Sequence, residues 1–233
     1  MSNDHINTPS EGLSPTLSQG KDPRDKKVKP IHSKEIRKGE NTREKIIEEA
    51  INLFHEYGFV KASTRQLVKR VGMTSSAIYN HFANKDEILF TIIQRAGDKV
   101  LVTLEEVIKK YDDPYECLRQ MVISMLHLLC VGLMKKEISI FNDELYQLPK
   151  DLRELCNKQH RRIFDLFRNQ IYKLGEKNLI NPVNPTVATF GILGATLWAY
   201  RWFKDSGKLS IEDIEEELIR LLFKGIIGVE KQN

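Results

Sequence analysis

Between Ser63 and Lys85 the chain gathers side chains suited to contacting a nucleic-acid duplex. Ser75, Ser76, Tyr79, Asn80 and His81 supply short hydroxyls, an amide and rings that can reach base edges or phosphate oxygens. Ser63 and Thr64 stand where a helix would begin, and the free N–H groups of a helix start favour a phosphate. Arg65 and Lys85 flank the set and can neutralise backbone charge. Other residues suggest other chemistry. His127 and Cys130 are three apart, and Cys156 and His160 four apart, so each pair shares a helix face; together they would make a Cys₂His₂ set suited to zinc. Against that reading, histidines and cysteines within helices commonly serve only the core or the surface. Asp143 and Glu144 are adjacent carboxylates beside Phe141, but neighbours on a helix diverge, which points to solvent. No Gly-rich phosphate loop, Gly-x-Ser-x-Gly elbow or His-Glu-x-x-His is present, so neither catalysis nor a cofactor is expected.

These residues must be positioned by helices. Ile46, Ile47, Ala50, Ile51, Phe54 and Tyr57 recur at three- and four-residue steps, predicting a first helix from Thr42 that Gly58 stops. Ser63 with Gln66 forms a capping box for a short helix burying Leu67, Val68 and Val71. Gly72-Met73 turns the chain, and Thr74 caps a second short helix whose inward face is Ala77, Ile78 and Phe82. Two short helices joined by a glycine-containing turn are the helix-turn-helix arrangement, whose second helix fits a major groove. Asn84 to Glu87 opens a long helix through Leu104. Further helices are predicted from Pro114 to about Met134, Lys136 to Tyr146 and Lys150 to Gly175. Another starts at Pro185, capped by Asn184, and the last runs from Ser210 through Ile226. No strand or internal repeat stands out, and the fold class expected is all-α.

The whole composition sets bounds. A chain of 233 residues with 41% hydrophobic and 29% charged residues can build a real core. A net charge of +4 does not by itself mark a nucleic-acid binder, but Lys21, Arg24, Lys26, Lys27, Lys29, Lys34, Arg37 and Lys38 crowd one end. Such an arm is either a solvated tail or an attractor of phosphate or an acidic membrane. Residues 1–40 lack apolar periodicity and are expected to be disordered. Three cysteines without Cys-x-x-Cys spacing fit a reducing cytoplasm. The nearly apolar stretch from Val187 to Tyr200 falls short of the ~20 residues that span a bilayer, so no membrane partner is expected.

From Thr42 to Ile93 the sequence resembles the N-terminal domain of the TetR/AcrR family of bacterial regulators. The resemblance rests on Thr42-Arg43-x-x-Ile46 with Ala50 and Phe54, on Tyr57-Gly58, and on Ser63-Thr64-Arg65 with Leu67. It continues through Val71-Gly72-Met73-Thr74-Ser75-Ser76-Ala77-Ile78-Tyr79-x-His81-Phe82 and Asn84-Lys85-Asp86-Glu87-Ile88-Leu89. It implies that Thr74, Tyr79, His81 and Lys85 contact phosphate and that Arg65, Ala77 and Asn80 lie at or near the bases. One departure matters: many members carry Lys-Gly where this chain has Ser75-Ser76, which puts contact at Ser75 in question. The implied organisation is a basic arm (residues 1–40), a three-helix helix-turn-helix domain (41–88) and a helical ligand-binding and dimerisation domain (89–233). The resemblance also implies a homodimer paired through the last two long helices, on a palindromic double-stranded DNA operator. Gly191-x-x-Gly194-Ala195 would let another helix approach closely.

For the effector, Met121, Met125, Phe141, Phe164, Phe167, Phe190, Trp198 and Trp202 could line an apolar pocket, although each is also an ordinary core residue. The stretch Trp198-x-x-x-Trp202-Phe203-x-x-Ser206-Gly207-Lys208-Leu209-Ser210-x-Glu212-x-Ile214 resembles, over a shorter span, members responding to acyl-CoA esters. With Arg161, Arg162, Arg168 and Arg201 available for phosphates, it implies a fatty-acyl-CoA effector. The alternatives are a metal-sensing regulator of the same fold, with ligands among the His and Cys pairs, and a helical interaction protein that does not bind DNA.

Overall fold

The computed structural model describes residues 32–130, 132–204 and 206–224, and every regular element among them is a helix. In order these are α1 (His32–Tyr57), α2 (Thr64–Val71), α3 (Ser75–Tyr79), α4 (Lys85–Lys110), α5 (Pro114–Cys130) and α6 (Gly132–Asp143). A 3-10 turn follows (Leu145–Gln147), then α7 (Lys150–Glu176), α8 (Pro185–Trp202) and α9 (Ile211–Leu222). No single helix among the described residues is long and apolar enough to cross a membrane.

The chain divides into two units, residues 1–38 and 39–233. Of the first, only the opening turns of α1 are described. Helix α1 begins at His32, ten residues before the expected start at Thr42. The disorder expected for residues 1–40 therefore does not hold at 32–40; residues 1–31 lie outside the described part. The added stretch contains Lys34, Glu35, Arg37 and Lys38, straight-chain residues with good helix propensity, and needs no apolar face to be helical.

Within the second unit, most of each predicted apolar stripe is buried, but Tyr57, expected on the inward face of α1, is exposed at its last turn, and Ala77 is only partly covered. Ile46, Ile47, Ala50 and Phe54 of α1 join Leu67 and Val71 of α2, Ile78 of α3, and Phe82 and Ile88 in one core. Each large side chain so buried contributes about 1.5–3 kcal/mol in area terms. Helix α4 is the spine: it packs on α5, α6 and α7, and α8 and α9 pack in turn on α5. Helix α4 runs unbroken from Lys85 to Lys110 and so carries the chain across the expected 88/89 junction.

Local signals set most helix ends. Gly58 and Gly72 close α1 and α2 with φ of 75° and 72°, the left-handed region that glycine enters without steric cost. Asn178 (φ 54°) does the same after α7, where the Leu179 N–H reaches the Leu174 carbonyl at 2.9 Å. Two expectations shift. The helix predicted from Pro114 to Met134 ends at Cys130, and α6 opens at Gly132, earlier than Lys136. The expected run of the last helix to Ile226 extends beyond the described residues.

Candidate nucleic-acid interface

Helix α2 begins with a closed capping box. Ser63 Oγ accepts from the Gln66 N–H at 3.2 Å, and the Ser63 N–H donates to Gln66 Oε1 at 2.8 Å. The Ser63 hydroxyl is thereby committed to the helix start, which leaves the N–H groups of Thr64 and Arg65 as the anion-facing donors. Thr74 caps α3 in the same way, its Oγ1 accepting from the Ala77 N–H at 3.2 Å. Helix α3 is shorter than the reading through Phe82 implied. Asn80, His81 and Phe82 follow it in a further turn, with the His81 and Phe82 N–H groups on the Ile78 carbonyl at 2.9 and 3.2 Å.

The division of faces is clear. Ile78 and Phe82 are fully buried, while Thr74, Ser75, Ser76, Tyr79 and Asn80 are exposed and Ala77 and His81 partly so. Ser63 and Arg65 are exposed beside them, and Thr64 is half-buried. The Tyr79 hydroxyl donates to Thr64 Oγ1 at 3.4 Å and so joins α3 to the start of α2. Beneath this surface, the Arg43 guanidinium lies 4.6 Å from the centre of the Phe82 ring, a cation–π contact that ties α1 to the end of the α3 segment.

Lys85 is half-buried rather than projecting freely. Its Nζ donates to the Phe59 carbonyl and lies 4.1 Å from the Phe59 ring centre. Burial pulls its pKa below the ordinary lysine value, and Asp86 and Glu144 counter that pull. An ammonium carries three N–H donors, so one bond to Phe59 leaves two for a phosphate. Sequence reading missed the partner of this arrangement. Glu144 accepts from the Phe59 N–H at 3.0 Å, a contact across 85 positions that no local pattern signals.

The residues expected to line an effector pocket separate into two groups. Met121, Met125, Phe141 and Phe167 are buried, and Phe164 partly so. Phe190, Trp198 and Trp202 are instead 65%, 60% and 44% exposed, which corrects their assignment to an internal pocket. The physical reason is helical spacing: α8 buries Ala188, Ile192, Leu193, Thr196 and Ala199, which turns those three rings outward. Nor do the arginines converge on one site. Arg162 pairs with Glu105, Arg168 with Asp165 and Arg201 with Asp143.

Polar groups lie among the buried ones. Gln159 donates to the Gln94 carbonyl at 3.1 Å and to Asp98 at 2.6 Å, while its Oε1 has no partner. His160 stacks on Phe141 with ring centres 3.9 Å apart, and burial lowers its pKa. The candidate zinc ligands do not come together. His127 meets Glu215 at 2.7 Å, Cys156 Sγ accepts from Gln94, and His160 Nδ1 lies against the Cys156 carbonyl. Among the described residues no group of three or more His, Cys, Asp or Glu is placed to hold a metal ion.

Comparison with known proteins agrees with this geometry. Residues 46–92 match the family described as bacterial regulatory proteins, tetR family, and residues 111–226 match the tetracyclin repressor-like C-terminal domain. The transcriptional repressor KstR2 of Mycobacterium tuberculosis is 22% identical over 189 residues, covering 79% of this chain and 92% of the relative. The fatty acid metabolism regulator protein of Bacillus subtilis is 25% identical over 186 residues, covering 78% and 93%. The crystal structure of AibR in complex with isovaleryl coenzyme A and operator DNA superposes with a TM-score of 0.74 at 28% identity, covering 78% of this chain and 98% of AibR.

Proposed function

Because the chain belongs to the TetR family, matching both its N-terminal and C-terminal domains, we propose that it is a cytoplasmic transcription repressor that grips a palindromic operator as a homodimer. The observation that carries the DNA-binding reading is the outward face of α3. Tyr79 on this short helix and Asn80 at its end are exposed, while Ile78 and, in the turn that follows, Phe82 pin the segment from below and Thr74 caps it. Thr64, Arg65 and Lys85 stand at its flanks in positions suited to phosphate, and His81 and Ala77 complete the contact set. Ser63 acts through its cap. Ser75 and Ser76 offer short hydroxyls and no charge, so the groove-facing segment depends on Tyr79, Asn80 and His81 more than on charge, with Tyr79 and His81 positioned for phosphate and Asn80 for a base edge. The test is a gel-shift titration at fixed salt on duplexes selected from genomic fragments. The combined Tyr79→Ala, Lys85→Ala variant is expected to lose at least about tenfold in affinity, and unchanged affinity would overturn the reading.

An effector whose apolar part enters the C-terminal domain releases the operator, and we assign it to the acyl-CoA esters, which join an apolar acyl chain to a charged nucleotide. Support comes from AibR, solved with isovaleryl coenzyme A and operator DNA, and from Met121, Met125, Phe141 and Phe167 gathered in the C-terminal core beside half-buried Phe164. A series of acyl-CoA esters of increasing chain length should raise the melting temperature and release bound duplex, and a series without either effect rejects the assignment.

A further inference from the structure

Helix α6 ends in two adjacent carboxylates that reach different parts of the molecule. Asp143 accepts from the Tyr200 hydroxyl at 2.8 Å and pairs with Arg201, which fixes the end of α6 to α8. Arg201 in turn lies 5.0 Å from the Trp198 ring centre. Glu144 turns the other way, to the loop between α1 and α2. Its Oε1 accepts from the Phe59 N–H at 3.0 Å and lies 3.4 Å from the place a Gly58 Cβ would occupy. Phe59 is buried edge-on against Phe54, with ring centres 5.2 Å apart. Its carbonyl and its ring together hold the Lys85 ammonium. A single residue is thus clasped from two sides, by an acid from the end of α6 and by a base from the start of α4.

We infer that Glu144 is a positioning residue for the DNA grip: by fixing Phe59 it holds the anchor from which Lys85 presents its two remaining N–H groups to a phosphate. This rests on the DNA-binding reading above. A lysine stem is long and flexible, and an untethered ammonium must be ordered when it meets its phosphate. With Phe59 held, that ordering is already present in the free protein. Without Glu144, the Phe59 N–H is left unpaired in a half-buried position, the loop after Gly58 relaxes, and Lys85 loses its carbonyl and its ring together.

The test is a double-mutant cycle on the tightest-binding duplex recovered by selection from a randomised pool. Affinity is measured for wild type, Glu144→Ala, Lys85→Ala and the double variant over a range of salt. Glu144→Ala is expected to weaken binding about five- to tenfold in the wild-type chain and less than about twofold when Lys85 is already alanine. It should also reduce the slope of log K against log salt by about 0.9, the value of one phosphate contact, as Lys85→Ala does. Glu144→Gln keeps an acceptor for the Phe59 N–H and should restore both affinity and slope. Equal losses in the two backgrounds, an unchanged salt slope, or a glutamine variant as weak as alanine would each overturn the inference. A merely structural glutamate would lower affinity without touching the slope. If wild type recovers no duplex, the DNA-binding reading falls and the positioning role with it; recovery with an additive cycle removes the positioning role alone.

Discussion

Gly97 on α4 lies against Gln159 of α7 and Phe141 of α6. A Cβ at Gly97 would sit 2.8 Å from Gln159 Cδ and 3.1 Å from Phe141 Cε2. Alanine would gain about 1 kcal/mol of helix propensity. Against that stands an overpacking cost of about 1–3 kcal/mol, increased because Gln159 cannot retreat without breaking its bonds to Gln94 and Asp98. Gly97→Ala is therefore expected to lose about 1 kcal/mol net in urea unfolding, whereas a stabilised variant would mean the contact is loose. The neighbouring His160 gives a prediction in pH. Burial lowers its pKa from the ordinary 6.5, so the folded ring stays neutral while the unfolded ring takes up a proton. Stability from this residue is present above the unfolded value and is lost as pH falls below it. Glu137, whose pKa burial raises, acts in the opposite sense. The comparison is therefore between variants: His160→Phe should show a smaller fall in melting temperature than wild type between about pH 7.5 and about pH 5. Identical falls would show that His160 is not the group titrating.

At the scale of elements, the DNA-facing unit rests on caps, and caps are local chemistry. Ser63→Ala removes an oxygen already committed to Gln66 and should cost about 1 kcal/mol of stability. It should also weaken duplex binding through the loosened start of α2. A variant that binds as wild type does at full occupancy of the fold would show that the cap serves stability alone. The same locality explains what could be read from the chain. Ser63-x-x-Gln66, Thr74 before α3, Asn84 before α4 and Pro185 at the start of α8 each announce a helix within four residues, and the structure has all four. The start of α1 was missed because its first ten residues carry helix formers without an apolar stripe. The break at Cys130 was missed because apolar residues continue on both sides of it. The polar ties between α1 and α6 have no sequence signature at all: Asn52 to Lys136 at 2.8 Å and His55 to Ser139 at 2.9 Å each join residues 84 positions apart. The divergence of Asp143 and Glu144 was legible from helix geometry, but their partners Arg201 and Phe59 were not.

At the scale of the whole molecule, one face of α8 is left uncovered among the described residues. Val187, Phe190, Trp198 and Trp202 are between 44% and 65% exposed, and exposed Gly191 and Gly194 lie between them along the helix. Soluble monomers rarely leave so much apolar surface contiguous, and a reader of two half-sites needs two heads. In the homodimer proposed above, a second copy of the same face would satisfy both, since a two-fold axis makes one patch its own complement. Gly194 separates this role from a role in the monomer fold, because a Cβ placed there meets nothing within 4 Å. Gly194→Arg should therefore leave helicity and single-subunit folding intact, and the change from glycine even favours the helix by several tenths of a kcal/mol. Across a close helix pair, however, it puts a bulky charge where a partner backbone must approach. The expected result is a shift from dimer to monomer in sedimentation velocity, with operator affinity falling at least about tenfold while circular dichroism stays unchanged. Persistence of the dimer at wild-type strength would place the interface elsewhere on the surface and leave the exposed rings of α8 free for another partner.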